Sequence, residues 1–149
     1  MNKSGKVVIL GHSGFIGGHL YRKFLEDTDY KVGGFSSRDI NLLDENSGQT
    51  LAGAYSRDTT IIMVAADSRI RSNSIEVLSN NIRMSLNLSV SLEKSKCEHV
   101  ILLSSIAVYG RTGKNLITEQ SPVNPDSFYA VAEVCRENII RKTCEFLNI

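Results

Sequence analysis

The chain has 149 residues, 42% hydrophobic and 22% charged, which suits one globular domain able to bury a real core. Seventeen Lys and Arg stand against sixteen Asp and Glu, with no basic cluster interleaved with aromatics, which argues against a nucleic-acid partner. Cys97, Cys135 and Cys144 have no metal-binding spacing and read as reduced thiols, and the early run VVIL is too short for a signal peptide or membrane span, so a cytoplasmic protein without metal is expected.

KVVIL (Lys6–Leu10) opens the chain as a buried strand, and GHSGFIGG follows it directly. A helix is predicted from about Phe15 to Asp27, with Phe15, Ile16, His19, Leu20, Phe24 and Leu25 at helical spacing. KVGGF (Lys31–Phe35) is the second strand and TIIMV (Thr60–Val64) the third. Between them Gly48–Tyr55 reads as a short helix, while Ile40–Leu43 is ambiguous. A long helix is expected over Ile75–Lys94, a strand over His99–Ser105, and a last helix from Phe128 onward. Such alternation predicts right-handed crossovers and an α/β, doubly wound parallel sheet covered on both faces.

The helix at Ile75–Lys94 carries two apolar stripes. Ile75, Leu78, Ile82, Leu86 and Val90 form one; Val77, Met84, Leu88 and Leu92 form another on nearly the opposite side. A surface helix needs only one, so the second predicts burial under a further layer or against a partner subunit.

Gly11, Gly14 and Gly17 lie between a β-run and an amphipathic helix. Glycines there allow a tight turn and let backbone N–H groups approach a pyrophosphate, which the helix N-terminus favours. Ser13 could donate to a phosphate, whereas His12 reads as a solvent-facing loop residue. At the end of the second strand stand Ser36, Ser37 and Arg38, with Asp39 slightly late for a ribose. Serines followed by arginine favour NADP over NAD.

GHSGFIG, Ala65–Ala66, SSIAVYG and EQSPVNPDSFY, in that order, resemble the extended short-chain dehydrogenase/reductases, the NAD(P)-dependent epimerases, dehydratases and reductases that act mostly on nucleotide sugars. The resemblance covers nearly the whole chain and implies a Rossmann fold binding NAD(P), with a nucleotide-sugar-like small molecule as substrate. It assigns the pyrophosphate to Gly11, Gly14, Phe15, Ile16 and Gly17, and the adenosine side to Ala65 and Ala66. Asn81 matches an asparagine near the nicotinamide, and Asp44, within RDINLLD, an aspartate that contacts adenine in reductases similar to GDP-fucose synthase. Ser37 and Arg38 fall at the NADP-selecting position. Ser105 matches the serine that hydrogen-bonds the substrate oxygen, and Tyr129 the catalytic acid/base. The helices near 75–94 and 129–147 often pair across a homodimer in this family.

Two departures stand out. The family pattern is YxxxK, and Glu133 occupies the lysine position. A carboxylate in place of an ammonium is expected to lower the phenolate population by about 100- to 10,000-fold. Arg136 is expected to lie a turn along and off that face. Family members also run about twice as long, so residues 1–149 are expected to be the NAD(P)-binding domain without a substrate domain. The sheet is then incomplete on its C-terminal side, and His99–Ser105 is left as an apolar edge. The sequence supports the cofactor-binding half of a nucleotide-sugar epimerase or reductase, or alternatively a non-catalytic dinucleotide-binding or scaffold module.

Overall fold

In a computed structural model, residues 5–27, 29–67, 73–111 and 116–149 are described. The elements are β1 (Lys6–Leu10), α1 (Phe15–Asp27), β2 (Lys31–Phe35), α2 (Ser47–Ala52), β3 (Thr59–Met63), α3 (Ile75–Lys94), β4 (His99–Leu102), a 3-10 turn at Ile106–Tyr109, and α4 (Phe128–Leu147). The four strands make one sheet in the order β2-β1-β3-β4, and every pair is parallel. Val8 of β1 lies level with Gly33 and Ile61, which places β1 at the centre and explains its unbroken apolar run.

Alternation along the strands separates two cores. Val8, Leu10, Ile61 and Met63 point toward Leu51 of α2, Met84, Leu88 and Leu92 of α3, and Ile140 and Leu147 of α4. Val7, Ile9 and Ile62 point the other way, toward Leu20, Tyr21 and Phe24 of α1. That second face is only partly covered. Ile101 on β4 is 41% exposed, and a groove of about 980 Å³ runs past Phe24, Thr60, Ile62 and His99 toward the N-terminal ends of the strands.

The helices begin where short side chains satisfy their open amides. Ser74 Oγ accepts from Val77 N–H at the start of α3, and Ser127 Oγ accepts from Ala130 N–H at 3.1 Å at the start of α4. α4 ends at Asn148, in the left-handed conformation with φ 55°, and Ile149 N–H donates to Cys144 O at 3.0 Å. Of the two stripes on α3, Val77, Met84, Leu88 and Leu92 are buried, while Ile75, Leu86 and Val90 stay exposed. The short helix is α2 at Ser47–Ala52, earlier and shorter than the expected Gly48–Tyr55. Ser47 replaces solvent with the Asp44 carbonyl, to which its hydroxyl donates at 2.7 Å, and Tyr55 leaves the helix to donate to Ser95 O at 2.6 Å. The ambiguous Ile40–Leu43 forms turns, with Leu42 in the core.

Candidate functional site

At the end of β1 the chain turns at Gly11, whose φ of 92° is one that L side chains rarely adopt. Its N–H donates to Phe35 O at 2.8 Å, which ties the turn to the end of β2. A Cβ on Gly11 would lie 2.8 Å from Ala65 N, and one on Gly17 would lie 2.2 Å from Gly11 O. Only glycine lets the start of α1 sit this close to the turn. Ser13, Gly14, Phe15 and Ile16 form an exposed rim, with Phe15 96% exposed, and the first-turn amides of α1 open beside them. A glycine cradle at a helix N-terminus fits a dinucleotide pyrophosphate.

Beside the cradle, a cavity of about 250 Å³ opens at the C-terminal ends of β1, β2 and β3. Gly11, Phe35, Ser36, Ser37, Ala65 and Ala66 line it, with Leu42, Asp67 and Asn80 on the far wall. At its β2 corner the Asp39 carboxylate folds back onto the strand end, accepting from Ser36 N–H at 2.8 Å and Ser36 Oγ at 2.6 Å. Those two hydrogen bonds hold the Asp39 carboxyl below the usual carboxylate range. Arg38 is exposed.

The expectation that His12 faces solvent is corrected. Its ring is half-buried, packs at a tilt against Tyr21 with centroids 5.3 Å apart, and lies against Gly34, where any Cβ would come 2.6 Å from His12 Cγ. Its Nδ1 is buried without a hydrogen-bond partner among the described residues.

A second cluster stands at the end of β4. Ser105 caps the 3-10 turn by accepting from Ala107 N–H at 3.2 Å. Gly110, at φ 61°, ends that turn where a Cβ would come 2.0 Å from Asn124 O, and Asn124 N–H donates to Val108 O at 3.0 Å. These contacts bind SSIAVYG to the segment leading into α4. Asn73 Oδ1 accepts from Phe128 N–H at 2.6 Å, fixing the first residue of that helix. Ser105, which caps the 3-10 turn, and Tyr129, the second residue of α4, are thereby held where that turn packs against α4. Burial first, and the Glu133 charge second, push the Tyr129 phenol above its ordinary value, while Ser105 and Arg136 pull it down by less.

The sequence pattern of the NAD dependent epimerase/dehydratase family matches residues 7–146. The chain belongs to that family. Among curated relatives, an N-acetyl-α-D-glucosaminyl-diphospho-ditrans,octacis-undecaprenol 4-epimerase of Escherichia coli O157:H7 is 25% identical over 142 residues, covering 91% of this chain and 43% of that protein. A solved UDP-galactose 4-epimerase is similar at TM-score 0.82 and 21% identity, over 96% of this chain and 52% of its own. A UDP-glucose 4-epimerase from Bifidobacterium longum, solved with NAD+ and UDP, is similar at TM-score 0.78 and 21% identity, over 95% and 49% respectively. At those identities the structural likeness establishes the fold. The chain spans about half the length of the relatives it matches.

Glu133, one turn after Tyr129 on α4, is only 1% exposed. Arg136 Nη1 donates to Glu133 Oε1 at 2.6 Å, and Arg136 Nη2 donates to Ala65 O at 2.8 Å. The expectation that Arg136 lies off the Tyr129 face is corrected. Positions i, i+4 and i+7 fall on one stripe of a helix, and Arg136 is fully buried on it. The pair therefore joins α4 to the end of β3, beside the cavity.

Two family-assigned residues stand apart from the cavity wall. Asn81 is fully buried: its Oδ1 accepts from Asp67 N–H at 2.9 Å, and its Nδ2 donates to Asp67 O at 3.0 Å and Val77 O at 2.9 Å. It shapes the loop after β3 and leaves Asn80 to line the cavity, with Asn80 Nδ2 donating to Asp67 Oδ2 at 2.9 Å. Asp44 accepts from Asn41 Nδ2 at 2.9 Å, and Asn41 is the one that lines the cavity. Asn80 and Asp67 were missed by sequence reasoning, and the paired Asn80–Asn81 was the only signal for them. Arg136 was within reach of helical periodicity.

Proposed function

We propose that this chain is the nucleotide-binding unit of an NAD(P)-dependent oxidoreductase of the epimerase or reductase type, acting on a nucleotide-sugar-like small molecule. The observation that carries the reading is the glycine cradle opening into the cavity at the C-terminal ends of the strands, with Ser105 and Tyr129 at the same end of the sheet. A bound nicotinamide would supply or accept hydride. Amides at Phe15 and Ile16, with the Ser13 hydroxyl, would hold the pyrophosphate on the turn that the Gly14 N–H closes by donating to Gly11 O at 3.0 Å. Ala65 and Ala66 would floor the adenosine side, and Asn81 would set the loop on which they sit. Ser105 would polarise the substrate oxygen, and Tyr129 would exchange its proton.

The corner at β2 supports NAD over the NADP expected from Ser37 and Arg38. Asp39 is held ionised against Ser36, and a 2′-phosphate would meet that fixed charge, whereas ribose hydroxyls would donate to it. The relative from Bifidobacterium longum carries NAD+. Leu86, Val90, Val131 and Phe146 on α3 and α4 stay exposed, which supports a homodimer through these helices. The three free thiols fit a reducing compartment such as the cytoplasm, and among the described residues no helix is long and apolar enough to cross a membrane.

The buried Glu133 favours a second reading, a dinucleotide-binding module without turnover. Fluorescence titration with NADH and NADPH tests the cofactor assignment cleanly, since the chain has no tryptophan. NADH is expected to bind more tightly than NADPH, and Asp39→Asn to narrow the gap. Binding of neither nucleotide would sink both readings.

A further inference from the structure

We infer that Arg136 is a positioning residue for the cavity at the strand ends. Glu133 holds its guanidinium in the core, and the guanidinium fixes the Ala65 carbonyl, hence the wall against which a dinucleotide would lie. The inference rests on the cofactor reading above and adds a residue of α4 to that site.

Beyond its last ladder bond, where Leu103 N–H donates to Met63 O at 3.1 Å, β3 runs on toward the cavity. Ala65 lies two residues past that bond and is held from two sides. Its N–H donates to Leu10 O at 2.8 Å, and its carbonyl accepts from Arg136 Nη2 at 2.8 Å, across 71 positions of sequence. Ala65 also sits directly on the glycine turn, since a Cβ on Gly11 would come 2.8 Å from its N and 2.9 Å from its Cα. Gly11, Ala65 and Ala66 line the cavity together. A displacement of Ala65 would move that wall and press on the turn that opens it.

The way the arginine meets its partners points to this role. An arginine serving a carboxylate alone does best with two parallel N–H bonds. Arg136 instead meets Glu133 Oε1 through Nη1 at 2.6 Å, turns Nη2 to Ala65, and leaves Nε buried without a hydrogen-bond partner among the described residues. The second parallel bond is given up for the backbone carbonyl. With side-chain exposures of 0% and 1%, the two ions are out of water, and a buried pair of that kind is a weak source of stability. Two nitrogens in one rigid plane can serve a carboxylate and a carbonyl at once, whereas an ammonium has a single nitrogen. Asp67, two residues on, has an anchor of its own, its N–H donating to Asn81 Oδ1 at 2.9 Å. The wall is thus pinned at two points, and only the first depends on α4.

Glu133→Leu with Arg136→Met removes both charges at similar volume, an exchange that buried pairs often tolerate without loss of stability. Amide hydrogen exchange in the protein without nucleotide reads the wall directly. Ala65 N–H is expected to exchange at least about tenfold faster in the double variant, while Ile9 of β1 and Asp67 keep their rates within about threefold. NADH titration of the same sample should give a dissociation constant at least about tenfold higher, the scale of one hydrogen bond to a charged group. If the double variant does not fold, Arg136→Lys, which keeps a cation against Glu133, should show both losses. Unchanged Ala65 exchange in a folded variant would overturn the inference. So would faster exchange throughout β1, which marks the pair as general packing, or an unchanged NADH affinity beside a loosened Ala65. If the wild type binds no NADH, the cofactor reading falls, and the exchange rates alone decide whether Arg136 holds Ala65.

Discussion

At Glu133 the chain buries a carboxyl group and answers it three residues later with Arg136. That answer was legible, since the i, i+4, i+7 rule puts both on the Tyr129 stripe. What could not be read was the Ala65 carbonyl, which comes from the end of another element and gives the guanidinium its second anchor. The glycines were legible for a simpler reason: the absence of a side chain is itself the message, and Gly11 and Gly17 stand where no Cβ fits. His12 was not, because its place depends on Gly34, on a different strand, leaving room for the ring. Tyr55 carries the pH prediction at this scale. Burial pushes its phenol up to about 12, although Ser91 pulls the other way. Because the folded value is raised, the contribution is fully present below about pH 10, where unfolded tyrosine titrates, and is lost as pH rises toward the folded value. Urea midpoints measured from pH 8 to pH 12 should fall above pH 10, and less steeply in Tyr55→Phe.

Among the elements, α3 was the most informative in the sequence and is the most used in the structure. Its two stripes were visible as periodicity, and the structure assigns Met84, Leu88 and Leu92 to the sheet and leaves Leu86 and Val90 outside. Its polar positions were not readable in the same way. Asn87 Nδ2 donates to Leu42 O at 2.8 Å and Asp44 O at 3.1 Å, pinning the turns that precede α2, and these partners lie far away in sequence. Ser89 accepts from Thr143 Oγ1 at 2.8 Å, linking α3 to α4. Leu88→Ala should cost about 2–5 kcal/mol in urea unfolding, because it empties a fully buried site between helix and sheet. Leu86→Ala, a turn away from that face, should change monomer stability by no more than about 0.5 kcal/mol. Equal costs at the two positions would mean that the burial assigned to α3 is wrong.

For the whole molecule, the doubly wound class followed from the alternation of strands and helices, while the unequal cover of its faces did not. One face carries α2, α3 and α4; the other carries α1 and leaves Ile101 exposed on the outermost strand. Strand alternation says which residues point to each face, but not how many helices arrive there. If α3 and α4 meet their counterparts in a second copy, sedimentation should give a dimer, and Leu86→Glu with Val90→Glu should shift it to monomer without loss of helix signal. A monomer in the wild type at micromolar concentration would remove the dimer reading. The all-parallel pairing also sets the order in which a growing chain can find its shape. β1 is made first and sits at the centre, yet its pairing with β2 must await the intervening helix, and β3 arrives later still. No neighbouring hairpin can shelter Val7–Leu10 in the meantime, so the most apolar strand is the one longest without partners. Slow, non-local closure of this kind exposes a nascent chain to sticking, and β1 is where a chaperone would have the most to hold.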